Sequence, residues 1–303
     1  MEPVNSAAFV NDQMKRPDQS QRYLFKDHPI RGQHVSLDQS WQRIAQQSGL
    51  EGMGLMLLGQ ALAAVVLLVD TLKISGSVTL QIRGNGPLKL LVVEANSEQK
   101  IRGIARQEGK IEDQMDIQEI FGSDYLAITI KTDQAEPYQG IASLQGADLS
   151  EALEHYFATS EQLPTRFWLA CNDQNVSGML IQKLPGKSQD DDAWNRVLHL
   201  AATVTSEELQ QIPLDALLHR LFHQETMLLF DPSAVDFSCS CSRERTSGML
   251  LALGKTEVID IVETEGEVAV TCEFCNAKYG FDRIDVEQLF LAGESAPSST
   301  TAH

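Results

Sequence analysis

Four of the five cysteines lie close together near the C-terminal end of the chain and have the spacing of a zinc site. Cys239 and Cys241 are separated by one residue, and Cys272 and Cys275 form a CxxC pair after a gap of 30 residues. Two close pairs brought together by folding give the tetrahedral four-sulfur ligation that structural zinc prefers. The sequence therefore predicts one Zn²⁺ per reduced chain, with these four cysteines as its ligands.

The same thiolates could also respond to oxidants. Zinc keeps cysteines in the thiolate form at neutral pH, and thiolates are the form that oxidants attack. Each pair is close enough to form a disulfide, Cys239 with Cys241 and Cys272 with Cys275. Oxidation would then remove the metal from a unit too small to be stable through its apolar core alone. Spacing by itself leaves a structural zinc ribbon and a redox switch open, and favours the ribbon.

Basic residues follow the cysteines in an otherwise acidic chain. Four thiolates on one Zn²⁺ leave a net charge of about −2, which nearby cations could screen. The alternative is that they are ordinary exposed residues. The candidates are Arg243, Arg245, Lys278 and Arg283.

Other reactive residues give weaker signals. Cys171 lies in an apolar run and is interpreted as a buried, inert thiol. His219 and His223 have helical i, i+4 spacing but no third ligand nearby, so we expect surface or interface histidines. Residues 84–87 read GNGP, which is typical of a hairpin turn and not of a phosphate loop. We find no nucleophile–base or paired-carboxylate set, so the protein is not expected to be an enzyme.

Hydrophobic periodicity predicts an α+β fold for the first part of the chain. Residues 149–157 place apolar side chains on one helical face, and residues 52–69 carry no charge. The glycines and Gln60 in the latter segment favour a buried core helix over a membrane span. Alternation and turn signals predict strands at residues 78–83, 88–93, 101–106, 125–131, 166–171 and 179–184.

The remaining chain is predicted to be a helical linker followed by a small zinc unit. Thr205 and Glu208 fit a capping box within two or three short amphipathic helices at residues 194–222. The linker's apolar stripe comprises Val197, Leu198, Leu200, Leu214, Leu217, Leu218 and Leu221. In the zinc unit we expect helices at 242–253 and 256–264, strands at 267–271 and 278–281, and a last helix capped by Asp285.

Composition excludes some classes of function. The net charge of −18 and the isoelectric point near 4.7 disfavour binding to nucleic-acid phosphates. The N-terminal segment lacks the apolar core of a signal peptide, so we expect a cytoplasmic protein that binds no membrane. Thiols stay reduced in the cytoplasm, where clustered cysteines usually indicate metal or redox chemistry.

One motif is similar to a known family. The sequence FSCSCSRER at residues 237–245, followed by CEFC at residues 272–275, resembles the zinc module of the heat shock protein 33 family. The resemblance extends over residues 20–290, without a departure at the four cysteines. Further matching segments are residues 22–25, 30–32, 161–166, 178–182 and 218–221.

The resemblance implies a stress-response chaperone that holds unfolded proteins without ATP. Its reduced, zinc-bound form is inactive, and oxidation of the four cysteines to two disulfides releases zinc. The zinc unit and the linker then unfold, expose apolar surface and capture unfolding or oxidatively damaged clients. Active forms are homodimers, and clients pass to ATP-dependent foldases. The alternatives are a thiol–disulfide oxidoreductase and a structural zinc-ribbon adaptor.

These inferences predict a three-part organisation with two tails. We expect an N-terminal mixed sheet-and-helix domain, which also dimerises, then the helical linker and the small C-terminal zinc-binding domain. The client surface is expected on the linker and the face that it covers. The predicted bounds are 1–20 for a disordered N-terminus, 21–187, 188–235, 236–291, and 292–303 for a disordered tail.

Overall fold

The protein has the predicted α+β fold. The structure is a computed structural model that describes residues 16–72, 75–112, 114–132, 134–186 and 190–295. The chain divides into two units, Met1–Phe237 and Ser238–His303. Most of the predicted N-terminal tail, residues 187–189 at the predicted linker boundary and residues 296–303 of the predicted C-terminal tail lie outside the described residues.

The first unit contains two sheets and several helices. Its strands are β1 (Gln19–Phe25), β2 (Ile30–Leu37), β3 (Gly76–Arg83), β4 (Leu88–Asn96), β5 (Lys100–Gln107), β6 (Tyr125–Thr132), β7 (Ala135–Ser143), β8 (Thr165–Cys171), β9 (Val176–Lys183), β10 (Met227–Leu229), β11 (Ser233–Ala234) and β12 (Asp236–Phe237). Its helices are α1 (Gln39–Ser48), α2 (Gly52–Leu72), α3 (Ile117–Phe121), α4 (Leu149–Tyr156), α5 (Ala193–Ala201), α6 (Ser206–Gln211) and α7 (Leu214–Phe222), with a π-helical turn at Phe157–Glu161.

The two sheets have different strand orders. The first sheet has the order β10-β1-β2-β9-β8, with β11 also pairing with β1, and all of its pairs are antiparallel. The second has the order β12-β5-β4-β3-β6-β7, in which only the β12–β5 pair is parallel. The short strands β10, β11 and β12 therefore cover one edge of each sheet.

Helix α2 is the centre of the larger core. It is long and apolar enough to cross a membrane, but 15 of its 21 residues are buried, and it packs against strands of both sheets. A helix that is apolar on all sides is stable in water only when other elements surround it. The predicted buried helix at residues 52–69 is confirmed.

The end of α2 is held by polar contacts. The partly buried carboxylate of Asp70 accepts hydrogen bonds from Ser20 Oγ (2.7 Å), Gln33 Nε2 (2.5 Å) and Gln99 Nε2. Burial raises the pKa of Asp70, and these donors oppose that shift. The carboxylate thereby joins α2 to β1, to β2 and to the turn before β5.

Helices α5, α6 and α7 pack on the first sheet. Val197, Leu217 and Leu221 are buried with Tyr23 and Phe25 of β1 in a second core. The capping box predicted for Thr205 and Glu208 is present at the start of α6. The apolar stripe predicted for the linker is therefore buried, apart from the half-buried Leu198 and Leu200.

A cluster of ionisable groups connects α5 to the residues just before it and to the residues that follow α7. Arg196 Nε lies 2.9 Å from Glu225 Oε1, and Arg196 Nη1 lies 2.6 Å from Asp190 Oδ2. Glu225 also lies 3.3 Å from His28 Nε2, in the turn between β1 and β2. Glu225 is largely buried, so these contacts lose less to solvent screening than an exposed pair would.

The second unit is built around a much smaller core. Among the side chains that the structure describes, seven are buried in its main apolar cluster, against 41 in the larger cluster of the first unit. A core of this size is not expected to fold a domain without an added constraint. Its elements are α8 (Arg243–Leu253), α9 (Lys255–Glu265), β13 (Val268–Thr271), β14 (Lys278–Phe281) and α10 (Arg283–Ser295).

Several local predictions need correction. The N-cap of α10 is Asp282, whose carboxylate accepts the N–H of Asp285 at 2.8 Å. The predicted Asp285 takes part in the same cap, because its carboxylate accepts the N–H of Asp282 at 3.3 Å, and it also accepts from Arg243. The helix predicted at 149–157 ends at Tyr156 and continues as the π-helical turn. Strand β1 begins at Gln19, inside the range predicted as an N-terminal tail. Strands β1, β2 and β7 and helix α1 were not among the predicted elements.

Replacing Leu217 by Ala should loosen α7 from the first sheet. The side chain is fully buried, so truncation should lower the opening free energy of α5–α7 by about 2–5 kcal/mol. Hydrogen exchange of the α5–α7 amides measures this change. Leu228→Ala, at a side chain that is 48% exposed, is the matched control and should change little. Equal protection in both variants would contradict the packing described here.

Candidate metal centre

The CxC pair lies directly before a helix. Cys239 and Cys241 precede α8, and Ser242 caps that helix because its Oγ accepts the N–H of Arg245 at 3.2 Å. The cap fixes where the chain turns from extended backbone into helix. Cys241 is therefore held next to a defined helix start.

The CxxC pair lies in the turn between β13 and β14. The N–H of Cys272 donates to the carbonyl of Ala277, and the N–H of Asn276 donates to the carbonyl of Cys272, both at 2.8 Å. Asn276 has φ of 56°, a left-handed conformation that asparagine tolerates better than most residues. The turn directs Cys272 and Cys275 to the same side.

The four sulfurs converge. All four Sγ atoms lie within 4.8 Å of one another, although they come from segments 30 residues apart. Tetrahedral zinc with Zn–S bonds of about 2.3 Å places its sulfurs about 3.8 Å apart, so this cluster fits Zn²⁺. All four cysteines are free thiols in the structure.

Two close sulfur–sulfur contacts cross between the two pairs. Cys239 Sγ lies 3.6 Å from Cys272 Sγ, and Cys241 Sγ lies 3.2 Å from Cys275 Sγ. Because the whole set is compact, these distances do not select a disulfide pairing. The metal-ligand roles and the predicted bridges Cys239–Cys241 and Cys272–Cys275 stay predictions.

The electrostatics favour ionisation of one thiol. The hydroxyl of Tyr279 donates to Cys241 Sγ at 3.1 Å and lowers the pKa of that thiol to about 7. Burial raises the pKa of Cys239 and raises that of Cys275 to about 12. Thiolates this close repel one another, so a divalent cation is needed to hold all four in the charged form.

The neighbouring cations play different parts. Arg245 Nη1 donates to Ser240 Oγ at 2.6 Å, which holds the guanidinium beside the CxC pair. Arg243 contacts the carbonyl of Gly280 and the carboxylate of Asp285, each at 2.7 Å. Arg283 pairs with Glu287, and Lys278 is exposed. The structure supports the predicted screening for Arg245 alone among the four.

The other sequence candidates do not build a second site. Burial raises the pKa of Cys171 to about 12, which agrees with an inert thiol. The rings of His219 and His223 are 6.4 Å apart. In the described parts of the chain, the four cysteines are the one group of three or more His, Cys, Asp or Glu residues close enough to hold a metal. Residues 84–87 form the predicted hairpin turn between β3 and β4.

Tyr279 is a site residue that the sequence analysis did not identify. It lies on β14, four residues after Cys275, and reaches back to the CxC pair. A tyrosine soon after a CxxC pair was the available signal. Which sulfur it contacts depends on the fold of the whole unit, so spacing alone could not assign it.

Comparison with known proteins decides the family. The sequence model described as "Hsp33 protein" matches residues 18–282. This chain belongs to the Hsp33 family. It is 43% identical over 290 residues to the 33 kDa chaperonin of Nitrosococcus oceani, covering 96% of this chain and 100% of that protein. The 33 kDa chaperonin of Ectopseudomonas mendocina is 45% identical over 291 residues, covering 93% and 99%.

A solved structure supports the fold. The crystal structure of a 33 kDa chaperonin, a heat shock protein 33 homolog from Thermotoga maritima, has a TM-score of 0.81 with this chain. The match covers 92% of this chain and 100% of that one at 24% identity. The resemblance inferred from the cysteine motifs is thus confirmed, and the Hsp33 family identifies the chain as a chaperone.

Removing one cysteine should remove the metal. Cys272→Ser should lower bound zinc from about one per chain to near zero, because the sulfur site loses a ligand. The second unit should then unfold, since its own core is small. Metal analysis and proteolysis of the second unit measure the two effects. Cys171→Ser is the control and should keep its zinc; full zinc content in Cys272→Ser would refute the ligand assignment.

Removing the Tyr279 hydroxyl should weaken metal binding without abolishing it. Loss of a hydrogen bond to a metal ligand typically costs 10–100-fold in affinity, and we expect that range for Tyr279→Phe. Competition with a coloured zinc chelator measures the affinity. Tyr138→Phe changes an exposed tyrosine of β7 and should leave it unaltered. Equal affinities in the two variants would show that the contact does not tune the site.

Proposed function

We propose that this protein is a redox-regulated, ATP-independent holdase. Zinc-bound and inactive when reduced, it is activated when its four cysteines form two disulfides and no longer hold the metal. It then binds unfolding proteins and prevents their aggregation. The observation that carries the proposal is the convergence of four free thiols in a weakly cored unit of an Hsp33-family chaperone.

The redox step uses the thiolates of the cluster. We assign the bridges to Cys239–Cys241 and Cys272–Cys275, the neighbours along the chain. In each bridge two thiolates lose two electrons and form one S–S bond; one hydrogen peroxide takes up the electrons and two protons and becomes two waters. A bound Zn²⁺ supplies no step of this exchange, but it keeps the sulfurs as thiolates until they react.

Losing the metal should unfold the second unit. Zinc ligation contributes about 10–16 kcal/mol of apparent folding free energy in small modules at neutral pH. The apolar core of seven residues offers little to replace it. Two disulfides that each close a very short loop constrain the chain much less than four ligands on one ion do.

Unfolding of the second unit should also loosen the helical linker. Helices α5, α6 and α7 bury their apolar stripe on the first sheet, against Tyr23, Phe25 and Ile30. Each helix has nine residues or fewer, and helices this short depend on packing for stability. In the proposed mechanism the linker, residues 188–235, loosens after the zinc unit at 236–291 unfolds. Both the stripe and the face beneath it then become available to clients.

The proposed partners follow from this mechanism. Clients are unfolded or oxidatively damaged proteins, the active form is a homodimer through residues 21–187, and released clients pass to ATP-dependent foldases. We place the protein in the cytoplasm, where cysteines start reduced. The net charge of −18 argues against nucleic acid as a partner. The burial of α2 in the protein core argues against a membrane role.

The alternative functions have less support. A thiol–disulfide oxidoreductase normally carries its CxxC at a helix N-terminus, whereas Cys272 and Cys275 lie in the turn between β13 and β14. A structural zinc-ribbon adaptor would need no marginal linker. Neither alternative accounts for the family membership.

Peroxide treatment at raised temperature tests the proposal. The zinc-loaded protein should release zinc, form two disulfides and suppress light scattering from a heat-denatured client without ATP. The Cys272→Ser variant should show no oxidant-triggered change in zinc binding. Zinc release without suppression of aggregation would refute the holdase function, and catalytic turnover of dithiols would favour the oxidoreductase.

A further inference from the structure

The C-terminal end of the linker and the two residues that follow it run along the edges of both sheets. We call residues 226–237 the strap. Its strands β10 and β11 pair antiparallel with β1. After one intervening residue, Val235, strand β12 pairs in parallel with β5. The strap therefore follows the edge of β1 and then the edge of β5 without a break, and we call these two edges together the track. The strap ends at Phe237, two residues before Cys239 in the sequence.

Main-chain hydrogen bonds hold the strap. The N–H of Phe230 donates to the carbonyl of Arg22 at 3.0 Å, and the N–H of Val235 donates to that of Asp18 at 2.9 Å. The N–H of Asp236 donates to the carbonyl of Gln99 at 3.0 Å. These contacts would form equally well with the backbone of another extended peptide.

Polar side chains of the first unit also bind the strap through its backbone. Gln21 Nε2 donates to the carbonyl of Phe230 at 2.8 Å, and Ser40 Oγ accepts the N–H of Phe237 at 3.0 Å. The track thus recognises groups that every peptide carries. This is the character that a site for many different sequences requires.

Few side chains of the strap are buried. Val235 is its one buried side chain, while Leu228, Leu229 and Phe230 are 48%, 37% and 36% exposed. The pair between Lys100 and Asp236 is also exposed, so it contributes little. The strap can leave without exposing a large apolar core, and its departure would uncover unpaired backbone groups on β1 and β5.

A cavity of about 240 Å³ adjoins the β1 part of the track. Such a pocket next to a strand edge can receive a side chain of an added strand. Apolar groups supply much of its wall, and its charged groups are of both signs, Arg22, Arg31 and Asp70, so it suits an apolar side chain. Its lining includes Leu24, Leu180, Leu184, Phe230, Arg22 and Arg31.

We infer that the edges of β1 and β5 under the strap bind extended segments of unfolded proteins by β-strand addition. The strap occupies this site in the reduced protein, and a client segment replaces it after activation. This inference rests on the proposed function, because the strap must first be released. The opposite edge of the second sheet, β7, contains Pro137, which cannot donate to an added strand.

A covalent lock on the strap separates this inference from the proposed function. Leu24 and Leu228 are direct partners in the β1–β10 ladder, a geometry within the range that a disulfide can bridge. The variant Leu24→Cys/Leu228→Cys, oxidised in the full-length protein, should release zinc as the unaltered protein does. Its client capture should fall at least about fivefold. The single variant Leu228→Cys is the matched control and should capture normally. Because Leu24 lines the cavity, Leu24→Cys gives the baseline for loss of that side chain, and the locked variant should capture at least about fivefold less than it. Peptide mapping verifies the cross-link.

The outcomes have distinct meanings. Full client capture by the locked variant would overturn strand addition at this track while leaving the holdase function intact. Failure of the unaltered protein to capture clients after zinc release would refute the holdase function itself. If the lock instead prevents two copies from associating, as measured by sedimentation, while client capture persists, the track is a dimer interface and the inference is wrong.

A peptide with the sequence of residues 226–237 tests the mode of binding. In the antiparallel ladder the N–H groups of Leu228 and Phe230 face β1, whereas those of Met227 and Leu229 face away. N-methylation at Leu228 and Phe230 should weaken binding to the oxidised protein at least about tenfold. N-methylation at Met227 and Leu229 should change it by less than about twofold. Equal losses from both peptides would show that main-chain pairing with β1 does not carry the binding.

Discussion

The close approach of four sulfur atoms is the constraint on which the second unit depends. Its four cysteines come from two segments 30 residues apart in a unit with a small apolar core, yet their Sγ atoms lie within 4.8 Å of one another. Bringing four ionisable thiols together is unfavourable unless a cation compensates their charge. The same arrangement is therefore stable with a metal and unstable without one. This difference distinguishes the site from a cysteine cluster inside a large apolar core, where metal loss would leave the fold intact.

The first unit does not share this dependence. Its larger cluster contains 41 buried residues around α2, and the Asp70 carboxylate joins that helix to both sheets. A core of this size can remain folded while the second unit unfolds. Between these extremes lie α5–α7, whose packing is apolar but whose helices are short. The chain thus contains segments of graded stability, as a protein that responds by partial unfolding requires.

The sequence predicted the clustering of the four cysteines because its signal is local. Spacing identified the four residues, and motif resemblance identified the family, while the contact between Tyr279 and Cys241 depended on how β14 folds back. The strands that were missed have weak local signals. Strand β2 is buried on both faces and therefore lacks alternation, and its Gly32 is required because the Tyr23 ring occupies the space of a β-carbon. Strand β7 contains a proline and a glycine, which are typical of turns.

The strap could not have been predicted from side-chain patterns either, and the reason bears on its role. Local patterns report which side chains are buried, but this segment is held through its backbone and buries one side chain of its own, Val235. A contact that depends so little on side chains is also one that many sequences can replace. Binding through the backbone therefore leaves little side-chain pattern in the sequence of the strap, and it also suits the track beneath the strap to unrelated clients. Client binding is then controlled by the release of the strap and not by the client's sequence. In the proposed mechanism, oxidation of the four cysteines triggers that release.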